Sequence, residues 1–179
     1  MRCFVAVELP WEIRQRLKAV QEDFEDDGIR LVKDGALHVT LSFLGDINEG
    51  DAERVKEGLS EVKCAPFMVS CAGLGFFSPR RINVIFAKLQ GGTGLSTLHE
   101  GVSEAVNKSA GIMEERGYVP HVTIARVHWA NRMGLERRIM EYGSTEFGRF
   151  EVGSFYLKRS TLTGDGPVYE TLREYRLEG

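Results

Sequence analysis

Two short stretches of this chain carry side chains that can move protons: His38-Val39-Thr40-Leu41 and His121-Val122-Thr123-Ile124. Imidazole, with an ordinary pKa of about 6.5, gives or takes a proton near neutrality. The chain has only 4 histidines, and two of them fall in this one frame. Two imidazoles on opposite sides of a bound phosphodiester suit in-line displacement at phosphorus. One accepts a proton from attacking water and the other donates one to the leaving oxygen, each contributing typically ~10²–10⁴-fold. Thr40 and Thr123 can hydrogen-bond the non-bridging oxygens as charge builds there. The scheme requires no metal. A single His-x-Thr is usually a half-exposed β pair, because threonine favours strands in any case. The repeat, with apolar residues in the same flanking slots, is what points to chemistry.

The elements that must position these residues are strands. From Leu37 to Gly45, Leu37, Val39, Leu41 and Phe43 alternate with His38, Thr40 and Ser42. Strand side chains alternate between faces, so Phe43 is expected in the core and Ser42 beside Thr40. Val122 and Ile124 repeat the core-facing positions around His121 and Thr123. Arg126 follows, and its planar fork suits a phosphate. Strict alternation aims it away from His121, whereas a bulge or strand end would return it to the histidine side. Arg126 is therefore carried as a candidate substrate contact.

Along the rest of the chain, residues 3–8 read as a strand, and Leu9-Pro10 opens a helix through Ile13, Leu17, Val20 and Phe24, stopping near Gly28. Asn48 and its neighbours offer caps for a helix carrying Val55, Leu59 and Val62. Strands are expected over 67–75 and 83–89, joined by the exposed turn Ser78-Pro79-Arg80-Arg81, whose charges read as solvated. Gly91-Gly92-Thr93-Gly94 lacks the lysine ending of a phosphate loop and reads as a turn with Thr93 capping the next helix, which ends near Gly111. A loop rich in Glu114, Glu115 and Arg116 reaches Pro120. Leu135, Ile139 and Tyr142 mark a short helix. Strands near 148–159 and 167–176 follow, turned at Gly164-Asp165-Gly166. Helices followed by pairs of strands favour α+β with largely antiparallel sheet. Residues 1–179 are expected to form a single domain of two related lobes facing a cleft.

A formal charge of −3 argues against coating long nucleic acid but not against gripping a strand end. Cys3, Cys64 and Cys71 fit neither a disulfide framework nor a zinc site, so free thiols in a reducing cytoplasm are expected. The apolar run at the N-terminus is too short for a leader or a membrane span, so the protein is expected to be soluble. No His-x-x-x-His or Cys-x-x-Cys set appears, and His99 and His128 read as structural or solvated.

The two motifs, His38-Val39-Thr40-Leu41-Ser42-Phe43-Leu44-Gly45 and His121-Val122-Thr123-Ile124-Ala125-Arg126, resemble the paired signatures of the two-histidine phosphoesterases. The closest branch is the RNA 2′,3′-cyclic phosphodiesterases, also called 2′-5′ RNA ligases. Similarity runs nearly end to end, through residues 2–10, Gly73-Leu74-Gly75-Phe76-Phe77 with Pro79-Arg80-Arg81, and Gly166-Pro167-Val168-Tyr169-Glu170. At Leu31-Val32 this chain departs from relatives that carry tryptophan before the valine. The resemblance implies a bilobal, pseudo-twofold α+β fold with both histidines in the cleft. It implies metal-independent opening of a terminal 2′,3′-cyclic phosphate to a 2′-phosphate, with His38 as proton donor and His121 as acceptor. Thr40, Thr123 and Arg126 would bind substrate. The implied partner is an RNA or oligonucleotide end, with no cofactor, no metal, no membrane and a monomeric state. Reverse 2′-5′ ligation, action on another cyclic phosphate of the ADP-ribose type, and a non-catalytic nucleotide-binding module remain alternatives.

Overall fold

The computed structural model describes residues 1–77, 80–114 and 117–179. The expected turn at Ser78-Pro79 and the Glu115-Arg116 part of the loop lie outside the described residues. In chain order the elements are β1 (Arg2–Glu8), α1 (Trp11–Gln21), β2 (Ile29–Leu31), β3 (His38–Asp46), α2 (Glu49–Leu59), β4 (Phe67–Phe77) and β5 (Val84–Gln90). They continue with α3 (Gly94–Ala110), β6 (His121–Val127), α4 (Arg132–Glu141), β7 (Glu146–Val152), β8 (Ser154–Thr163) and β9 (Gly166–Arg176).

Local chemistry sets several of these boundaries. The Asn48 side chain accepts from the Asp51 amide at 2.9 Å, and Asn131 does the same for the Gly134 amide at 3.1 Å, so α2 and α4 each begin on an asparagine cap. Such a cap is worth ~1 kcal/mol. Gly111 closes α3 at φ +68°, a left-handed conformation that glycine adopts without penalty. Thr93 occupies the residue before α3, but its hydroxyl makes no capping bond. Gly28 does not stop α1, which ends at Gln21 and tightens into a 3₁₀ turn over Glu22–Phe24. A Cβ at Gly28 would meet the Trp129 carbonyl oxygen at 1.9 Å, so this glycine permits two backbones to touch.

The strands form one sheet of order β7-β4-β5-β6-β3-β1-β8-β9, with β2 added to β6, and every pairing is antiparallel. This order is symmetric about the β6–β3 seam, where Val39 pairs with Val122. The two halves of the chain also exchange parts. β4, from the first half, lies outside β5, while β8, from the second half, lies outside β1. The helices cross likewise: α1 packs on β6 and β7, and α3 packs on β3. Val5, Leu17, Val39, Val55, Leu98, Val122, Ile124 and Leu157 are among the fully buried residues between helices and sheet. No helix among the described residues is long and apolar enough to cross a membrane.

One expected strand proves to be parts of two. The run 148–159 breaks at Gly153, where the chain passes from β7 at one end of the sheet to β8 near the other. Burial changes parity there, from Phe150 and Val152 to Phe155 and Leu157. A single strand without a bulge would keep its buried side chains in one parity.

Candidate active site

The β6–β3 seam builds the site. Extending the Val39–Val122 register by one residue each way sets His38 across from Thr123 and Thr40 across from His121. Because the apolar residues between them face the helices, both histidines and both threonines face the same cleft. That cleft holds about 420 Å³ and is lined by His38, Thr40, His121, Thr123 and Arg126, with Arg30 and Lys33 at its side and Phe43, Phe77 and Tyr169 on its walls.

Arg126 reaches the cleft through a β-bulge. β5 pairs Ile85 with Ala125 but Phe86 with Thr123, so Ile124 is an extra residue and the alternation slips by one. Ala125 is buried and Arg126 is exposed on the histidine side. The same slip occurs in β3, where β1 pairs Val5 with Ser42 but Ala6 with Thr40. Here the alternation expected from sequence fails. Ser42 is 1% exposed and sits in the core, while Phe43 is 62% exposed and lines the cleft. Phe43 stands at the same offset from His38 as Arg126 from His121. That shared offset is the signal that pairs them.

Each bulge is held by a side chain from a helix. The Leu41 carbonyl accepts from His99 Nδ1 of α3 at 2.7 Å, and the His99 ring stacks on Tyr118 at 4.0 Å. The Ile124 carbonyl accepts from Gln21 Nε2 of α1 at 2.7 Å, and the same amide donates to the Val32 carbonyl at 2.8 Å. Gln21 is therefore a buried polar group with its donors satisfied. His99 is structural, as expected, and His128 is exposed.

The catalytic candidates are oriented alike. His121 Nδ1 donates to the Val119 carbonyl at 2.7 Å, and the His38 ring is bonded to the carbonyl of Ala36, the equivalent residue two positions back. A carbonyl can only accept, so these bonds place a proton on the anchored nitrogen and leave Nε2 for chemistry. Nε2 of His38 lies 3.1 Å from Thr40 Oγ1, which donates to it when the ring is neutral. Each ring is walled by aromatics: His38 by Phe4 at 4.9 Å and Tyr169 at 5.3 Å, and His121 by Phe77 at 4.8 Å and Phe86 at 5.3 Å.

These walls displace water and disfavour the charged form. Burial pushes the His38 pKa down to about 4, helped by the positive charges of Lys158 and Arg126 and opposed by the Ala36 bond. Burial also lowers His121, with the Val119 bond opposing and Arg126 adding to the depression. Lys158, itself buried, ion-pairs with Glu8 and donates to Thr171 at 3.1 Å behind His38. Among the described residues no group of three or more His, Cys, Asp or Glu side chains converges to hold a metal ion.

Sequence reasoning named His38, Thr40, His121, Thr123 and Arg126, and the structure brings all five together. It missed Phe43, Phe77, Tyr169, Arg30 and Lys33 as lining residues. Leu31 and Val32 also line the cleft, so both are within reach of a ligand.

Comparison with known proteins agrees with this geometry. The LigT like phosphoesterase family model matches the chain twice, over residues 7–86 and 90–169. An RNA 2′,3′-cyclic phosphodiesterase of Methanocaldococcus jannaschii is 35% identical over 178 residues, covering 98% of this chain and 100% of that protein. One of Aquifex aeolicus is 35% identical, covering 94% and 91%. The crystal structure of a Thermus thermophilus protein superposes with TM-score 0.86 at 31% identity, covering 100% of this chain and 99% of that one. Escherichia coli LigT complexed with 3′-AMP shares the fold at TM-score 0.84 and 22% identity, with 99% and 98% coverage. A bulged His-x-Thr strand repeated across one seam, and a family model that matches once per half, lead to one conclusion: the chain belongs to the LigT like phosphoesterase family.

Proposed function

We propose that this protein is an RNA 2′,3′-cyclic phosphodiesterase that opens a terminal 2′,3′-cyclic phosphate to a 2′-phosphate by acid–base catalysis with His38 and His121. The observation that carries the reading is the pair of imidazoles, each anchored through one nitrogen and aimed through the other into one cleft. In the proposed step, water attacks phosphorus on the His121 side and gives its proton to His121 Nε2. The bond from phosphorus to the 3′ oxygen breaks, and that oxygen takes the proton carried by His38 Nε2. The product bears a 2′-phosphate and a free 3′ hydroxyl, and the two rings exchange protons with solvent before the next turnover. Thr40, Thr123 and Arg126 stabilise the charge that gathers on the non-bridging oxygens.

The donor role of His38 follows the family resemblance. Burial alone would leave His38 neutral in the free enzyme, without the proton a donor must carry, so the bound phosphate has a necessary part. A negative charge between the rings favours imidazolium and raises both pKa values. The rings form a coupled pair, and the singly protonated state is the active one. We read residues 1–179 as one two-lobed domain, acting as a monomer in the cytoplasm. The unpaired thiols of Cys3, Cys64 and Cys71 suit a reducing compartment.

The test follows an RNA oligonucleotide ending in a 2′,3′-cyclic phosphate by phosphorus NMR in EDTA. Wild type is expected to yield a 2′-phosphate, and His38→Ala and His121→Ala to lose it. A 3′-phosphate product, or activity restored only by a divalent ion, overturns the scheme.

A further inference from the structure

Two grooves leave the central cleft, and they differ in charge. One, of about 440 Å³, runs past Phe43 between Arg2, Gly45, Ser160, Leu162 and Pro167, and shares His38 and Arg126 with the cleft. The other, of about 750 Å³, opens on the His121 side between Phe77, Asn83, Glu114, Tyr118 and Val119. Among their described lining residues, the first has two guanidinium groups and no carboxylate, and the second has Glu114 and no lysine or arginine. Arg2 sits opposite Asp46 in the β1–β3 ladder yet forms no ion pair among the described residues. Phe43 and Leu162, 62% and 70% exposed, face the same groove as two large apolar surfaces.

A polyanion with flat bases takes the first groove over the second. Both grooves offer apolar surface to bases, with Phe43 lining each, but only the first brings cations of the described residues to the phosphates. The chemistry of the cleft agrees in direction. If His38 protonates the leaving 3′ oxygen, the terminal ribose lies on the His38 side, from which this groove departs. Resting on the phosphodiesterase reading, we propose that the Arg2 groove is a subsite for the nucleotide immediately upstream of the cyclic end. Arg2 pairs with the phosphate joining the last two nucleotides, and Phe43 and Leu162 flank the upstream base. The enzyme thereby selects RNA ends over free cyclic mononucleotides.

Three substrates test this: a nucleoside 2′,3′-cyclic monophosphate, a dinucleotide ending in a 2′,3′-cyclic phosphate, and that dinucleotide with a neutral methylphosphonate in place of its internucleotide phosphate. Wild type is expected to prefer the natural dinucleotide over the mononucleotide in kcat/KM by roughly tenfold, the scale of one charge-assisted contact. Arg2→Gln and the methylphosphonate should each collapse that ratio, mostly through KM, and together do no more than either alone. Should Arg2→Gln fold poorly, the methylphosphonate arm on wild type decides by itself. A ratio unmoved by both changes, or no dinucleotide preference while the mononucleotide turns over, overturns the subsite and leaves the phosphodiesterase reading standing. No turnover of any substrate by wild type overturns both.

Discussion

β3 and β6 are built to one plan and end in different chemistry. Both run histidine, buried apolar, threonine, buried apolar, buried small residue, then an exposed side chain delivered by a bulge. In β3 that last side chain is Phe43, and in β6 it is Arg126. Helix supports differ in kind too, His99 for one bulge and Gln21 for the other. The twofold plan supplies matched positions for two proton carriers, but a displacement at phosphorus needs unequal sides. The departures from symmetry supply them: an aromatic edge over one strand, a cation over the other, and Lys158 behind His38 alone.

Removing one ring at a time separates the two strands most sharply. His38→Ala and His121→Ala should each lower kcat by about 10²–10⁴-fold, with the double variant far short of the product, because the two act as a unit. A substrate whose 3′ oxygen is replaced by sulfur leaves without protonation. It should restore turnover to His38→Ala and not to His121→Ala in a rapid-quench assay; the opposite pattern reverses the roles. Next in size is Arg126→Ala, expected to cost about 10²-fold in kcat, as for loss of one donor to developing charge. Phe43→Ala should cost only a few-fold and act on KM, as for a contact equal in ground and transition states.

The pH profile sharpens the same contrast. In the free enzyme both rings are depressed, His38 to about 4 and His121 below its ordinary value. The singly protonated form therefore peaks on the acid side of 6.5, and so should kcat/KM. Bound phosphate raises both rings, so the bell for kcat should lie at higher pH than that for kcat/KM. Profiles that coincide, or a kcat/KM bell centred above about 7, contradict this electrostatic account. The smallest effect concerns the supports. Gln21→Leu leaves the Ile124 carbonyl with one partner fewer and should cost about 1–3 kcal/mol in urea unfolding. Activity should fall along with it as Arg126 loses its aim. His99→Phe keeps the stacking on Tyr118 and should cost less.

Much of this was readable from residue order, and the failures share one cause. Regular alternation located β3, β6 and the four cleft residues nearest the chemistry. A bulge breaks alternation without changing composition, so Ser42 and Phe43 are assigned to each other's faces, and Arg126 is a candidate only if a bulge or strand end is allowed for. Its clue is the carbonyl it frees, which requires a donor such as Gln21 or His99 from a helix distant in sequence. Gly153 hid a crossing between sheet ends for a related reason. Two strands that follow one another without a turn signature look like one until the parity of their buried residues is checked. The aromatic walls, Phe77 and Tyr169, come from strands that approach the histidines only in the folded sheet.

The exchange of β4 and β8 bears on how this chain can be cut. A break in Gly91-Gly92-Thr93, just inside the start of the second family match, would give a leading piece whose first helix has lost the strands it covers. The trailing piece would likewise lack the strands that flank β6. Neither fragment carries a closed core, yet each holds what the other needs. The molecule thus behaves as an internal dimer with swapped arms, in which each histidine is folded into place by the opposite half and one half alone makes no working half-enzyme.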